Sequence, residues 1–148
     1  MFVLLDIDGV MVPAASWKAP ENLDDGFPVF SKKAVEALKS ILNSDTEVVL
    51  TTSHKMRFTL SEWKAVFERR GVRIEKLSRL DANPHTLQRK DELLNWFSNR
   101  VANNDFLIID DDSSLHGLPS RLKERWIKTS SLVGLTSELV SQLNLSRI

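Results

Sequence analysis

Two aspartates, Asp6 and Asp8, end an apolar run in the stretch FVLLDIDGVM at residues 2–11. Neighbouring carboxylates raise each other's pKa, so such a pair is unfavourable unless a cation lies between them. Mg²⁺ prefers oxygen ligands and usually binds one or two carboxylates together with waters and a substrate phosphate. Residues i and i+2 of a strand point to the same side, so both carboxylates can face one site. The stretch therefore predicts a metal and phosphate site at the end of a first strand, although Asp-x-Asp-Gly alone is also a common turn.

Two further apolar runs end in polar residues of a matching kind. They are EVVLT at 47–51, followed by Thr52, Ser53 and His54, and DFLIID at 105–110, followed by Asp111 and Asp112. Each group alone is equally typical of a turn or a helix cap. In open α/β sheets, however, ligands bind at the carboxyl ends of the strands. Three such ends in one chain favour a functional site.

The apolar pattern alternates between strands and helices along the chain. It predicts strands at 2–7, 47–51, 72–77, 105–110 and 125–129, and helices at about 31–42, 61–70 and 86–100, with a closing helix capped by Thr136. This alternation predicts a parallel sheet with helices on both faces. The expected fold is thus α/β, a three-layer sandwich around a central, mostly parallel, Rossmann-like sheet of about five strands. The mixed apolar and charged pattern at 72–77 indicates an edge strand.

Composition limits the classes of function. The chain has 20 basic and 20 acidic residues, so net charge gives no reason to expect nucleic-acid binding, although a local patch is possible. The absence of cysteine excludes disulfides and thiolate zinc sites. No run is long and apolar enough for a membrane span, and the first residues lack the pattern of a signal peptide. These features predict a cytoplasmic protein without a membrane partner, and they leave its oligomeric state open.

The polar residues that follow the apolar runs resemble the motifs of the haloacid dehalogenase (HAD) superfamily. DIDGV at 6–10 matches its first motif, and VVLTT at 48–52 resembles the second, an apolar strand that ends in Thr or Ser. Lys90 resembles the third, a basic residue near a helix start, and FLIIDDD at 106–112 resembles the fourth. The motifs follow the family order over nearly the whole chain.

The resemblance implies catalytic roles for the motif residues. Asp6 would attack phosphorus to form an aspartyl-phosphate, and Asp8 would protonate the leaving group and then activate water. The second Asp favours a phosphatase over the dehalogenase branch. Lys90 would neutralise charge on the nucleophile and the phosphoryl group. The expected substrate contacts are Thr52, which would hydrogen-bond the phosphoryl oxygens, with Ser53 and His54.

The resemblance also implies a Mg²⁺ cofactor. Asp6, Asp111 and the backbone carbonyl of Asp8 would hold the ion, and Asp110 would support either the ion or Lys90. Three motif assignments stay open. The hydroxyl of the second motif is Thr51, Thr52 or Ser53, and the acid of the fourth motif is Asp110, Asp111 or Asp112. The basic residue of the third motif is Lys90 or one of its alternatives, Lys55, Lys76 and Arg89.

No segment is long enough for a folded cap domain over the site. Residues 1–148 are therefore expected to form a single HAD-like core, with a loop at 10–30 in place of a cap. Trp17, Lys18, Phe27 and Phe30 in this loop either cover the substrate or, as we favour, pin the loop to the body. Open sites in this superfamily go with large substrates or with a partner that closes them. The chain also resembles, more loosely, the HAD-like domains associated with RNA repair.

The sequence thus predicts a Mg²⁺-dependent phosphohydrolase that acts on a phosphomonoester. Sugar phosphate, nucleotide, nucleic-acid end and phosphoprotein all fit as phosphorylated substrates. One alternative is a receiver domain, which also carries an acidic pair, Thr and Lys at strand ends, but in which the phosphorylated Asp ends the third strand. A second alternative is a non-catalytic module that binds metal and phosphate.

Overall fold

The fold is described from a computed structural model covering residues 1–14, 21–83, 85–98, 100 and 105–146. Five strands form one sheet in the order β3-β2-β1-β4-β5. They are β1 (Phe2–Leu5), β2 (Glu47–Leu50), β3 (Lys76–Arg79), β4 (Phe106–Asp110) and β5 (Trp126–Lys128). Every pairing is parallel, so the carboxyl ends of all five strands lie at one edge. This order differs from the 2-1-3-4-5 order of receiver domains.

Helices cover both faces of the sheet. They are α1 (Lys32–Ile41), α2 (Leu60–Arg69), α3 (Arg89–Ser98), α4 (Ser120–Lys123) and α5 (Ser137–Ser146), with a 3₁₀ helix at Ser113–Gly117. Buried side chains of α1, α2 and α5 pack on one face, and those of α3, the 3₁₀ helix and α4 pack on the other. The predicted three-layer α/β sandwich with a five-stranded parallel sheet is confirmed.

The central strands β1, β2 and β4 are mostly apolar because both of their faces are buried. In β1, Val3 and Leu5 point to the α1 face while Leu4 points to the α3 face, and all three are fully buried. β2 and β4 alternate in the same way, as expected for a parallel sheet between two helical layers. These runs place the first polar residue of each strand end at the sheet edge.

Three predicted helix starts have a local cause. Ser31 accepts a hydrogen bond from Ala34 N and begins α1, as predicted. Thr59 and Glu62 form a capping box that begins α2 slightly before the predicted position. Thr136 Oγ1 accepts from Leu139 N and caps α5, as predicted.

Some predicted boundaries are wrong. The third strand covers 76–79 rather than 72–77, because Val72 and Ile74 are buried in the core without pairing in the sheet. Helix α3 begins at Arg89 rather than Thr86, because the Asn83 side chain bonds both the N–H and the C=O of Leu87 and holds a loop there. The 3₁₀ helix and α4, between β4 and β5, were not predicted.

The loop from residue 10 to 30 is fixed to the body by Arg70. Its guanidinium pairs with both oxygens of Asp25, at 2.6 and 2.9 Å, and donates to the carbonyls of Phe27 and Pro28. Phe27 and Phe30 are buried, as the pinning interpretation requires. Trp17 and Lys18 lie outside the described residues. Where the structure describes this loop, it contains no helix and only isolated β-bridges. The prediction that residues 1–148 form a single domain stays a prediction.

No helix within the described ranges is both long and apolar enough to cross a membrane.

Candidate active site

Three polar side chains lie side by side where β1, β2 and β4 end. Leu5 pairs with Leu50 and with Ile109, so the next residues, Asp6, Thr51 and Asp110, are equivalent positions on adjacent strands. Equivalent residues of parallel strands point to the same face of the sheet. All three are buried.

Arg89, the first residue of α3, reaches all three of these side chains. Its Nη1 lies 2.5 Å from Asp110 Oδ2, 3.6 Å from Asp6 Oδ1 and 3.3 Å from Thr51 Oγ1. Glu92, one turn along the helix, lies 3.4 Å from Arg89 Nε and 3.0 Å from the buried ammonium of Lys55. The strand ends and the start of α3 thus form one buried network of charges.

Asp6, Asp110 and Asp111 can hold a cation. Each offers one carboxylate oxygen, and these oxygens all lie within 4.8 Å of one another. Such an all-oxygen set fits a hard divalent ion such as Mg²⁺. Gly9 makes room for this group, because a Cβ at that position would run into the Asp111 carboxylate. The φ of Gly9 is also positive, at 78°.

The electrostatics of the site point to the same conclusion. Burial, and then the neighbouring Asp110, raise the pKa of Asp6 to about 8, while Arg89 acts in the opposite direction. Burial also raises the pKa of Asp110. One guanidinium therefore does not compensate the carboxylates fully, and a bound divalent cation would favour their ionised forms.

Asp8 faces a different partner. Its side chain is exposed, and Oδ2 lies 2.8 Å from His54 Nε2. The His54 N–H donates to Thr52 Oγ1 at 3.2 Å, and the ring contacts Phe27 edge-on at 6.0 Å. Thr52 and Phe27 thus hold His54, and His54 in turn orients Asp8 at the mouth of the site.

The family model for the HAD domain in Swiss Army Knife RNA repair proteins matches residues 2–140. The chain belongs to this family. No curated protein and no solved structure gives a match. HAD-superfamily membership, predicted from the motifs, is confirmed and supports hydrolase chemistry.

In this HAD domain, Arg89 occupies the position that the sequence prediction gave to Lys90. The Lys90 side chain runs along Gly117, where an added Cβ would lie 2.9 Å from Lys90 Cδ. Lys55 is paired with Glu92, and Lys76 lies at the amino end of the edge strand β3. Arg89, rather than the predicted Lys90, is therefore the basic side chain in contact with these carboxylates, while the catalytic role predicted for Lys90 stays a prediction.

The hydroxyl motif of the HAD domain divides between three positions. Thr51 Oγ1 faces Arg89 and the carboxylates. Thr52, the predicted phosphate contact, is fully buried and caps the turn that carries His54. Ser53 is exposed. The structure thus places Thr51 in contact with Arg89 of the carboxylate network, while the Thr52 hydroxyl bonds the backbone of His54. The phosphate contact predicted for Thr52 stays a prediction.

The acidic motif of the HAD domain has an equally clear division of contacts. Asp110 pairs with Arg89 and accepts from Asp112 N. Asp111 points toward Gly9 and completes the three-carboxylate group. Asp112 accepts from Ser114 N and caps the 3₁₀ helix. Asp112 is therefore a cap, and the side chain of Asp8 lies outside the three-carboxylate group.

Proposed function

We propose that this HAD domain is a Mg²⁺-dependent phosphohydrolase that acts on phosphomonoesters through an aspartyl-phosphate on Asp6. The observation that carries the proposal is the convergence of Asp6, Asp110 and Asp111 within 4.8 Å, beside Arg89. A phosphate dianion approaches a carboxylate only if cations screen both groups. The site offers one fixed cation and an oxygen set for a second.

The proposed reaction has two steps, and each uses both Asp6 and Asp8. In the first, an Asp6 oxygen bonds to phosphorus as the bond from phosphorus to the ester oxygen breaks, and the Asp8 carboxyl gives its proton to the leaving oxygen. In the second, Asp8 takes a proton from a water whose oxygen bonds to phosphorus, and the bond from Asp6 to phosphorus breaks. The products are an alcohol and inorganic phosphate, so atoms and charge balance.

The surrounding residues orient these groups. Arg89 holds Asp6 and places positive charge where phosphoryl oxygens approach. Thr51 and Thr52 are the candidate hydroxyls for the phosphoryl group, and His54 holds Asp8 for proton transfer. Bound Mg²⁺, with Asp6, Asp110 and Asp111 as side-chain ligands and the predicted Asp8 carbonyl, would supply Lewis-acid stabilisation of the phosphoryl oxygens.

The terminal phosphate of an RNA strand is the substrate class that we favour. The family description refers to RNA repair proteins. An RNA end is also a large substrate. The part of the loop at residues 10–30 that the structure describes contains no folded cap. The side chain of Asp8, the proposed acid, is exposed, so the leaving oxygen of a polymer end can reach it from solvent.

Hydrolysis of an aryl phosphate tests the proposal, because this substrate needs no recognition beyond its phosphate. We expect turnover with Mg²⁺, none after EDTA, and recovery when Mg²⁺ is returned. Asp6→Asn should abolish turnover, whereas Asp45→Asn, the same change at an exposed position, should not. Metal-independent turnover, or an active Asp6→Asn protein with a native fold, would reject the mechanism. Absence of turnover in the parent protein on aryl phosphates and phosphorylated RNA would favour the non-catalytic module.

A further inference from the structure

Two lysines converge on one histidine beside the candidate active site. Lys128 Nζ lies 2.9 Å from His116 Nε2, and Lys123 Nζ donates to the His116 carbonyl at 3.2 Å. All three residues are exposed. Neither lysine forms an ion pair with a carboxylate in the part of the chain that the structure describes. Two ammonium groups that contact one residue, neither of them in an ion pair, create a local positive potential that attracts an anion.

This cluster begins one strand away from the carboxylates. Lys128 pairs with Asp110 in the β4–β5 register, so both side chains leave the same face of the sheet. Adjacent strands are about 4.8 Å apart. His116 belongs to the 3₁₀ helix that follows Asp110 to Asp112 directly. A phosphate bound at the lysines would therefore be a near neighbour of a phosphate bound at Asp6.

An aromatic ring lies within the same cluster. Trp126 contacts the His116 ring edge-on at 5.0 Å, and Lys128 Nζ lies 5.9 Å from the Trp126 ring centroid. The indole N–H donates to the Asp110 carbonyl at 3.0 Å, which fixes the ring relative to the acidic motif. The side chain is only partly buried. Cations that follow a backbone, next to an aromatic ring on which a base stacks, are the usual elements of single-strand binding.

We propose that His116, Lys123 and Lys128, with Trp126, bind the backbone of a single-stranded RNA whose terminal phosphate enters the site at Asp6. We call these four residues the strand-binding patch. The inference rests on the proposed function, because it assigns the substrate's second contact point. The balanced net charge of the chain is no objection, since a local patch needs only local positive charge. A phosphopeptide would use the lysines but has no bases to stack on the indole.

Binding in a hydrolysis-blocked protein tests the patch separately from catalysis. The probe is a fluorescein-labelled 12-nucleotide single-stranded RNA with a terminal phosphate, titrated into Asp6→Asn protein at several salt concentrations. Adding Lys123→Gln and Lys128→Gln to this protein should raise the Kd for RNA about tenfold. The slope of log Kd against log salt concentration should fall by about 1.4, since each lysine neutralises one phosphate of a single strand. Lys123→Arg and Lys128→Arg should retain most of the affinity, which excludes a folding defect as the cause.

The control removes the same charge from the opposite face. Lys33→Gln and Lys39→Gln alter two exposed lysines of α1 that form no ion pair in the described part of the chain, and they should leave Kd within about twofold. In the active protein, the patch substitutions should lower the ratio of RNA to aryl phosphate kcat/KM about tenfold, by raising KM for RNA.

Several results would overturn the inference. These are an unchanged Kd in the patch variant, an equal loss in the α1 control, or tighter binding of a phosphopeptide of equal charge than of RNA. Aryl phosphate turnover together with any of them would leave the proposed function intact. Patch-dependent RNA binding without turnover would instead reject the proposed function and support the patch alone.

Discussion

Arg89 Nη1 lies 2.5 Å from Asp110 Oδ2, at the junction of helix α3 and the end of strand β4. The same guanidinium reaches Asp6 and Thr51, so a single side chain links three strand ends. A buried cation so placed lets two adjacent carboxylates share one site. It also leaves them incompletely compensated, as the raised pKa of Asp6 indicates. This balance supports the proposal that the site binds a divalent cation and a phosphate.

The role of Arg89 leads to the first prediction. Arg89→Gln should lower kcat for aryl phosphate at least 100-fold, the usual effect of losing a group that stabilises developing charge. Lys90→Gln should stay within about threefold of the parent protein, because Lys90 lies along Gly117. Steady-state kinetics of the two variants compare neighbouring positions with the same lost charge. An equal loss in both variants, or a larger loss in Lys90→Gln, would contradict the placement of Arg89.

Gly9 gives the second prediction. Gly9→Ala should abolish most activity, because its Cβ would displace the Asp111 carboxylate, and should also destabilise the fold by about 1–2 kcal/mol from the positive φ. Gly26→Ala is the matched control, since its φ is 79° but nothing lies within 4 Å of an added Cβ. Denaturant unfolding should show a similar φ-related loss in both, while Mg²⁺-dependent turnover falls only in Gly9→Ala. Full activity of folded Gly9→Ala protein would show that Asp111 is not constrained as described.

The raised pKa of Asp6 gives the third prediction. The pKa rises from 3.8 to about 8 on burial, so the folded, metal-free protein keeps a proton that the unfolded chain loses above pH 4. That stabilising contribution is complete below pH 3.8 and is lost as the pH rises through 8. Mg²⁺ must displace this proton, so its affinity should rise about tenfold per pH unit below pH 8 and then level off.

Thermal unfolding with and without Mg²⁺ at pH 6.0 and pH 8.5 measures this effect. The increase in Tm caused by Mg²⁺ should be larger at pH 8.5, and Asp6→Asn should remove most of the difference. A Tm shift that is equal at both pH values, or larger at pH 6.0, would show that Mg²⁺ does not compete with a proton on Asp6.

The fold and the acidic strand ends could be predicted because they depend on strong, local patterns. Continuous apolar runs identify strands buried on both faces, and their first polar residues must then appear at the sheet edge. This rule places Asp6 and Asp110 at one edge, and Asp111 follows directly in the chain. Their predicted catalytic and metal-binding roles stay predictions. The edge strand β3 was misplaced because Val72 and Ile74 are buried before the strand begins, so burial and sheet pairing differ there.

The basic residue that contacts the carboxylates could not be identified from the sequence, and the reason is geometric. Arg89 and Lys90 are adjacent, and successive helical residues point about 100° apart, so the choice depends on where α3 begins. That start follows from the bonds between Asn83 and Leu87, which set a loop where the apolar pattern suggested helix. The contact between His54 and Asp8 joins residues 46 positions apart, and no spacing rule indicates it.

Trapping of the phosphorylated protein tests the role of Asp6 most directly. Protein quenched during Mg²⁺-dependent turnover and reduced with borohydride should carry homoserine in place of an acyl-phosphate, and peptide mass spectrometry should locate it at Asp6. The modification should be absent without substrate and after EDTA. Turnover with no modification, or with the modification at Asp8, Asp110 or Asp111, would contradict the assignment of Asp6 as the nucleophile.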